Sequence, residues 1–225
     1  MNFYLKNLSD FYNNSFLTIS GESFHHFKNV YRGKPGTSGK IFNGSGLVAF
    51  GEVREIHKKE LIFHVEKYKK YESSNSLKLI LGVPKKEYFE SIIRSCTQIG
   101  INEIMLVQTK FSPWNFKAYP RINKIIESSI IQSENPFSPS IVTLSNLEMI
   151  KDVADKVVFF STESSESENS VCRPEGSAFI IGPEGGFHPS EVELICSLKN
   201  TKRICLPNPI MKSEVAVVYA AGLLA

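Results

Sequence analysis

A chain of 225 residues that is 42% hydrophobic with a formal net charge of +3 can bury roughly 70% of its unfolded surface, enough for one large or two small domains. Its longest apolar run, VAVVYAAGLLA (215–225), falls short of the about 20 residues that cross a bilayer, and MNFYLKNLSD at the start lacks the basic-then-apolar pattern of a secretory leader. A cytoplasmic protein without a membrane partner is therefore expected. Cys96, Cys172, Cys196 and Cys205 show no CxxC spacing and read as reduced thiols, and the five histidines do not fall at zinc-ligand spacings.

Residues 1–72 read as mostly strand, in short runs at 15–19, 39–43, 46–56 and 60–68, with Gly44 and Gly46 at a tight turn and one helix over 23–31. This pattern predicts a small β-barrel. A polar linker, 71–76, ends it. Residues 1–74 hold 11 basic against 7 acidic residues, whereas 75–225 hold 15 against 16. A basic first part on a near-neutral remainder fits a polyanion-binding module, and equally a solvated surface.

From residue 77 strands and helices alternate. Strands are predicted at 77–83, 103–109, 156–161, 178–182 and 203–207. Helices are predicted at 88–99 with Gly100 as C-cap, at 121–133, at 189–198 and at 212–225. Such alternation implies α/β architecture with a parallel sheet covered by helices. The polar, acidic 161–170 reads as a loop, and the final apolar helix is expected to dock against something.

Four stretches carry candidate chemistry. In IIGPEGGFHPSEVELI (180–195) a strand stops, a Gly-rich loop follows, and Pro189 opens a helix with His188 near its N-cap. No G-x-G-x-x-G or P-loop pattern is present. Glu184, at the loop's centre, would repel phosphate, so a neutral or cationic ligand with hydroxyls, such as an adenosine sulfonium, fits better. A plain strand–turn–helix connection is the other reading. LPNPIMKSEVAVVYAAG (206–222) again leaves a strand end, and Ser213 could cap the last helix. Ligands bind where strands end in α/β sheets, so the two loops could share a pocket. HHFKNVYRGKPGT (25–37) gathers His25, His26, Lys28, Arg32 and Lys34, a cluster suited to RNA phosphates and bases or simply to a solvated edge. Gln132 and Ser133 in SIIQSENPFSPSI (129–141) could grip a base edge or cap their helix.

These stretches, with LGVPKKEYFESIIRSCTQIGINEIMLVQTKFS (81–112), run in an order that resembles the ribosomal RNA small subunit methyltransferase E family of the SPOUT class. The resemblance implies a PUA-like RNA-binding β-barrel over 1–72 and a SPOUT domain with a trefoil knot over 73–225. Nothing in the periodicity points to a knot. It implies a homodimer acting on 16S rRNA or the small ribosomal subunit, methylating N3 of a uridine. S-adenosylmethionine would be held by Ile181, Gly182, Pro183, Glu184, Gly185, Gly186 and Phe187 on one side and Leu206, Pro207, Ile210 and Met211 on the other. His25, His26, Arg32, Lys34, Gln132 and Ser133 would meet RNA. Lys212 is the candidate cation for a developing uracil anion, and Glu214 would order the loop or assist proton removal. The chain departs from the family pattern at Pro209 and Lys212, where arginines are usual, and at Asn135, Gln98 and Thr37. Lysine lacks the two-pronged contact of arginine. A non-catalytic RNA- or cofactor-binding paralogue, and a methyltransferase of another RNA, are the alternatives.

Overall fold

The computed structural model describes residues 1–5, 15–73, 77–161, 177–205 and 209–224. They form two compact units, one of Met1–Ser74 with Glu127–Ser138, the other of Asn75–Ile126 with Pro139–Ala225.

The first unit contains β1 (Asn2–Tyr4), β2 (Phe16–Ser20), α1 (Gly21–His26) continuing as a π-turn through Tyr31, β3 (Ser38–Phe42), β4 (Leu47–Ile56) and β5 (Glu60–Lys70). The strands make one sheet in the order β1-β3-β4-β5-β2, antiparallel except for β1 beside β3. Register shifts at Phe50/Gly51 and Val53/Glu55 bend the long β4–β5 pair. Alternation sends Ile41, Val53, Leu61 and Phe63 inward to meet Phe3, Phe24 and Phe27. Phe24 and Phe27, one turn apart, anchor the helical segment and leave His25 and Lys28 exposed. The stretch 127–138 belongs here through long-range bonds. The Asn2 side-chain amide donates to the Ile131 carbonyl (2.9 Å) and to Glu134 (3.1 Å), and Gly46 N–H donates to the Pro136 carbonyl (2.9 Å). The ammonium of Lys40, then the amide of Asn2, hold the Glu134 carboxyl below the usual carboxylate range.

The second unit holds a six-stranded parallel sheet, ordered β11-β9-β10-β6-β7-β8. Its strands are β6 (Lys78–Gly82), β7 (Glu103–Val107), β8 (Ser140–Leu144), β9 (Val157–Ser161), β10 (Ala178–Ile181) and β11 (Thr201–Cys205). Its helices are α2 (Lys86–Ile99), α3 (Pro120–Ser133), whose second half lies in the first unit's segment, α4 (Pro189–Ser197) and α5 (Ser213–Leu224). Ile80, Met105, Val157, Phe159 and Ile180 face one layer, closed by Ile195 of α4 and by Leu147 and Ile150 of a 3-10 turn. The alternate residues, such as Leu79, Leu81 and Phe179, are also fully buried, and α5 packs on α2 and β10. Strands buried on both faces explain the unbroken apolar runs. Gly100 ends α2 with φ 80°, as its sequence position predicts.

β11 lies beyond β9, yet α5 packs back on α2 and β10, an arrangement consistent with a trefoil knot. Among the described residues no helix is long and apolar enough to cross a membrane. The strand predicted at 203–207 sits earlier, at Thr201–Cys205. β1, β8 and the 3-10 turn were not expected. β8 is an edge strand in which Ser140, Val142 and Thr143 are exposed and Ile141 is half-buried, so it lacks the apolar density that marks its neighbours.

Cys96 lies fully buried on α2, and burial pushes its thiol well above the ordinary cysteine range, whereas Cys196 on α4 is exposed. Iodoacetamide should therefore alkylate Cys196 in the folded protein and spare Cys96 until denaturant is added, as read by peptide mass spectrometry.

Candidate active site

Strands β10 and β6 pair in register, Ile181 opposite Leu81, so the loops at their C-terminal ends emerge side by side. Gly82 makes the junction possible. A Cβ there would lie 2.6 Å from Cδ of Pro183, so only glycine lets the loop after β10 settle on the end of β6. The loop then turns tightly. Gly186, at φ 71°, donates its N–H to the Pro183 carbonyl at 2.8 Å, and a Cβ at Gly186 would meet nothing within 4 Å.

Glu184 is exposed, and both of its carboxylate oxygens accept from the backbone N–H of Lys85, at 3.1 and 3.3 Å. Lys85 is the N-cap residue of α2 and makes no side-chain cap bond itself. The loop's negative charge therefore rests at a helix N-terminus, where the helix dipole favours it. On the other side of the loop, His188 caps α4 with Pro189 at the helix start, as predicted, and Glu191 completes a capping box. The buried Glu191 carboxylate accepts from the N–H of His188 (2.9 Å) and of Lys110 (2.8 Å). The Lys110 ammonium donates to Ser190 Oγ at 2.8 Å and lies 3.3 Å from His188 Nδ1. The segment after β7 is thus fastened beside the loop, with Phe111 against Gly185 and His188.

The predicted cofactor residues divide by orientation. Ile181 and Pro183 are buried, and the Phe187 ring meets Phe159 edge-on at 5.5 Å. These side chains hold the loop. Space beside the loop lies at Gly186, whereas a Cβ at Gly185 would come within 3.3 Å of Phe111, so a contact at Gly186 falls to the backbone. In the second segment Ile210 is 87% exposed and Met211 is half-buried. The Lys212 ammonium stands 5.5 Å from the centre of the Tyr88 ring, a cation–π arrangement. The Lys212 carbonyl accepts from Val215 and Ala216, so Lys212 occupies the N-cap position of α5. Ser213 is the first helical residue and not the cap that its sequence suggested. Ser213 Oγ and Glu214 Oε2 are buried with no hydrogen-bond partner among the described residues. Leu206, Pro207 and the side chain of His26 lie outside the described residues.

The two loops do not leave adjacent strands, because β9 separates β10 from β11. They converge instead on the first turn of α2, Glu184 at Lys85 and Lys212 at Tyr88. No sequence signal singled out Lys85, Tyr88 or Lys110, because their partners lie far away in the chain.

The residues expected to meet RNA all fall in the first unit. His25, Arg32, Lys34 and Gln132 are exposed, and Arg32 adopts φ 47°. Ser133 closes its own helix, donating to the Ser129 carbonyl at 2.7 Å and accepting from Asn135 N–H at 3.3 Å.

The RNA methyltransferase domain family matches residues 71–225, and the RNA methyltransferase PUA domain matches residues 19–66. A curated relative from Rickettsia conorii, named ribosomal RNA small subunit methyltransferase E, is 28% identical over 208 residues, covering 89% of this chain and 85% of its own. A relative of the same name from Mesomycoplasma hyopneumoniae is 31% identical over 157 residues, 66% of this chain and 68% of its own. The crystal structure of a ribosomal RNA small subunit methyltransferase E from Neisseria gonorrhoeae bound to S-adenosyl methionine superposes with a TM-score of 0.79 at 19% identity, covering 98% of this chain and 94% of that one.

Replacing Glu184 by alanine leaves the Lys85 N–H without its acceptor. The expected cost is about 1 kcal/mol of stability, with faster amide exchange at Lys85 and unchanged exchange at Ile195, measured by NMR.

Proposed function

Because the chain belongs to the RNA methyltransferase domain family, we propose that it transfers a methyl group from S-adenosylmethionine to N3 of a uridine in 16S rRNA of the small ribosomal subunit. The observation that carries this reading is the convergence of the Gly182–Phe187 loop and the Ile210–Glu214 segment on the start of α2. Uridine N3 follows the resemblance seen in the sequence. Active protein is expected in the cytoplasm.

The residues present fit a sulfonium ligand. Gly186 offers backbone beside open space, Glu184 keeps a carboxylate nearby, and Glu214 Oε2 and Ser213 Oγ are acceptors without a described partner. Ile181 to Phe187 with Ile210 and Met211 would hold the ligand, Leu206 and Pro207 being assigned to it from sequence alone. When bound, S-adenosylmethionine supplies an electrophilic methyl group on sulfur. The protein's own task would be to hold a uracil beside the bound ligand and to take up the N3 proton, the methyl group leaving sulfur as it joins nitrogen. Lys212, exposed at the N-cap of α5, would place its ammonium beside a uracil carbonyl oxygen and stabilise the negative charge that develops there. Glu214, in the first turn of the same helix, carries the oxygen best suited to take the proton. His25, His26, Arg32, Lys34, Gln132 and Ser133 would meet the RNA backbone, as the basic surplus of residues 1–74 supports.

The face of α5 supports a homodimer. Val215, Val218, Tyr219 and Leu223 recur at helical spacing and are 50%, 42%, 37% and 37% exposed, with Ile210 beside the same helix end. A second copy presenting the same stripe would cover it. A second functional reading, a binding paralogue without catalysis, draws on Lys212 and Pro209 standing where the family has arginines.

Incubation with tritiated S-adenosylmethionine and small subunits lacking the methyl group should label the RNA, at a uridine when the nucleotide is mapped. Unlabelled RNA with intact cofactor binding by calorimetry would establish the binding paralogue instead. Lys212→Ala should slow transfer by about a hundredfold while the calorimetric affinity for the cofactor holds. Val218→Asp should convert dimer to monomer in native mass spectrometry.

A further inference from the structure

A concave surface lies in the parallel-sheet unit, away from the Gly-rich loop in sequence. It is a groove of about 480 Å³ between the segment after β7, the first turns of α3 and edge strand β8, a volume within the range of small-ligand sites. Its walls are the rings of Phe116 and Tyr119 with Ile122, Ile126 and Ile141. Asn123, exposed at the groove, offers an amide with both a donor and an acceptor.

The aromatic walls are held in place. Phe116 meets Phe89 edge-on at 5.3 Å and lies tilted against Trp114 at 5.9 Å, and Trp114 donates its indole N–H to the Pro84 carbonyl. The Tyr119 hydroxyl donates to Glu90 at 3.2 Å. Burial and the adjacent Glu90 charge push its ionisation up to about 12, so the ring stays neutral. Cations lie next to the lining residues. The Lys86 ammonium lies 4.3 Å from the centre of the Tyr119 ring. Lys117, Arg121 and Lys124 are exposed and interleave with the lining residues in sequence. The nearby carboxylate, Glu90, is matched by Arg121 at 2.9 Å. An aromatic, apolar slot with one amide and a positive rim has the chemistry of a site for an unstacked nucleobase whose flanking phosphates meet lysines.

We infer that this groove binds a base of single-stranded RNA, a contact separate from the two loops assigned to methyl transfer. The inference rests on the reading that the substrate is RNA, but it is measured by binding alone.

The test uses the full chain, without cofactor, and a fluorescent single-stranded RNA of about ten nucleotides, with a duplex of the same sequence as control. Ala118 is exposed at the groove, so Ala118→Trp fills the slot from its rim. It should weaken single-strand binding by about tenfold and leave duplex binding unchanged. Asn123→Leu, which keeps the slot open but removes its amide, should weaken binding severalfold and alter the preference among bases. Lys117→Ala should lower the salt dependence by about one phosphate contact. Circular dichroism melts matching the parent confirm folding; a variant that melts early is replaced by Asn123→Leu as the deciding protein. Unchanged single-strand affinity in the folded variants, or equal weakening for duplex, would overturn the assignment. If small subunits are methylated normally while this happens, the groove alone is wrong. If the parent neither methylates nor binds RNA, both readings fall.

Discussion

The bond from the Lys85 N–H to the Glu184 carboxylate joins the two halves of the candidate site. It ties the loop after β10 to the start of α2, across 99 residues of sequence. It forms because β10 and β6 are neighbours in the sheet and because Gly82 has no side chain to hold Pro183 away. A Gly-rich loop with a carboxylate at its centre looks ill suited to anions, and the bond explains why the charge is there. The carboxylate serves a helix N-terminus at the protein surface, and beside it lies backbone with open space at Gly186.

With that loop fixed, the other parts take their places around α2. Lys212 reaches the same helix at Tyr88, one turn beyond the Glu184 contact. A lysine there is a flexible point charge where the family's arginine would be a planar fork. It can neutralise one oxygen but cannot pin the plane of a base through two bonds. The chain also carries exposed cations in its β unit and beside the residues that line the Phe116–Tyr119 groove. Exposed cations are thus spread over several surfaces, while three of the six residues from Gly182 to Phe187 are glycine.

The strand–helix alternation after residue 77 was legible because each element's periodicity is a local property. So were the capping of α4 by His188, the glycine end of α2 and the Gly-rich loop, since caps and turns are set by a few adjacent residues. β8 leaves no such mark, because an edge strand needs no continuous apolar run. The capping role of Ser213 was misread because which residue begins α5 depends on Lys212 taking the first carbonyl position. The stretch 127–138 continues a helix whose first half belongs to the sheet unit, yet its bonds from Asn2, Lys40 and Gly46 put it with the β unit.

The sequence by itself determined that an α/β unit follows a basic β unit, and that two unusual loops lie at strand ends. Only the tertiary structure decided that those loops meet on α2 and not on adjacent strands, that Glu184 is bonded to Lys85, and that Phe116 and Tyr119 line a groove. The physical reason is the range of the interactions. Periodicity, capping and turns act over a few residues and leave marks in the sequence. Strand order and hydrogen bonds between distant segments leave none until packing brings their partners together.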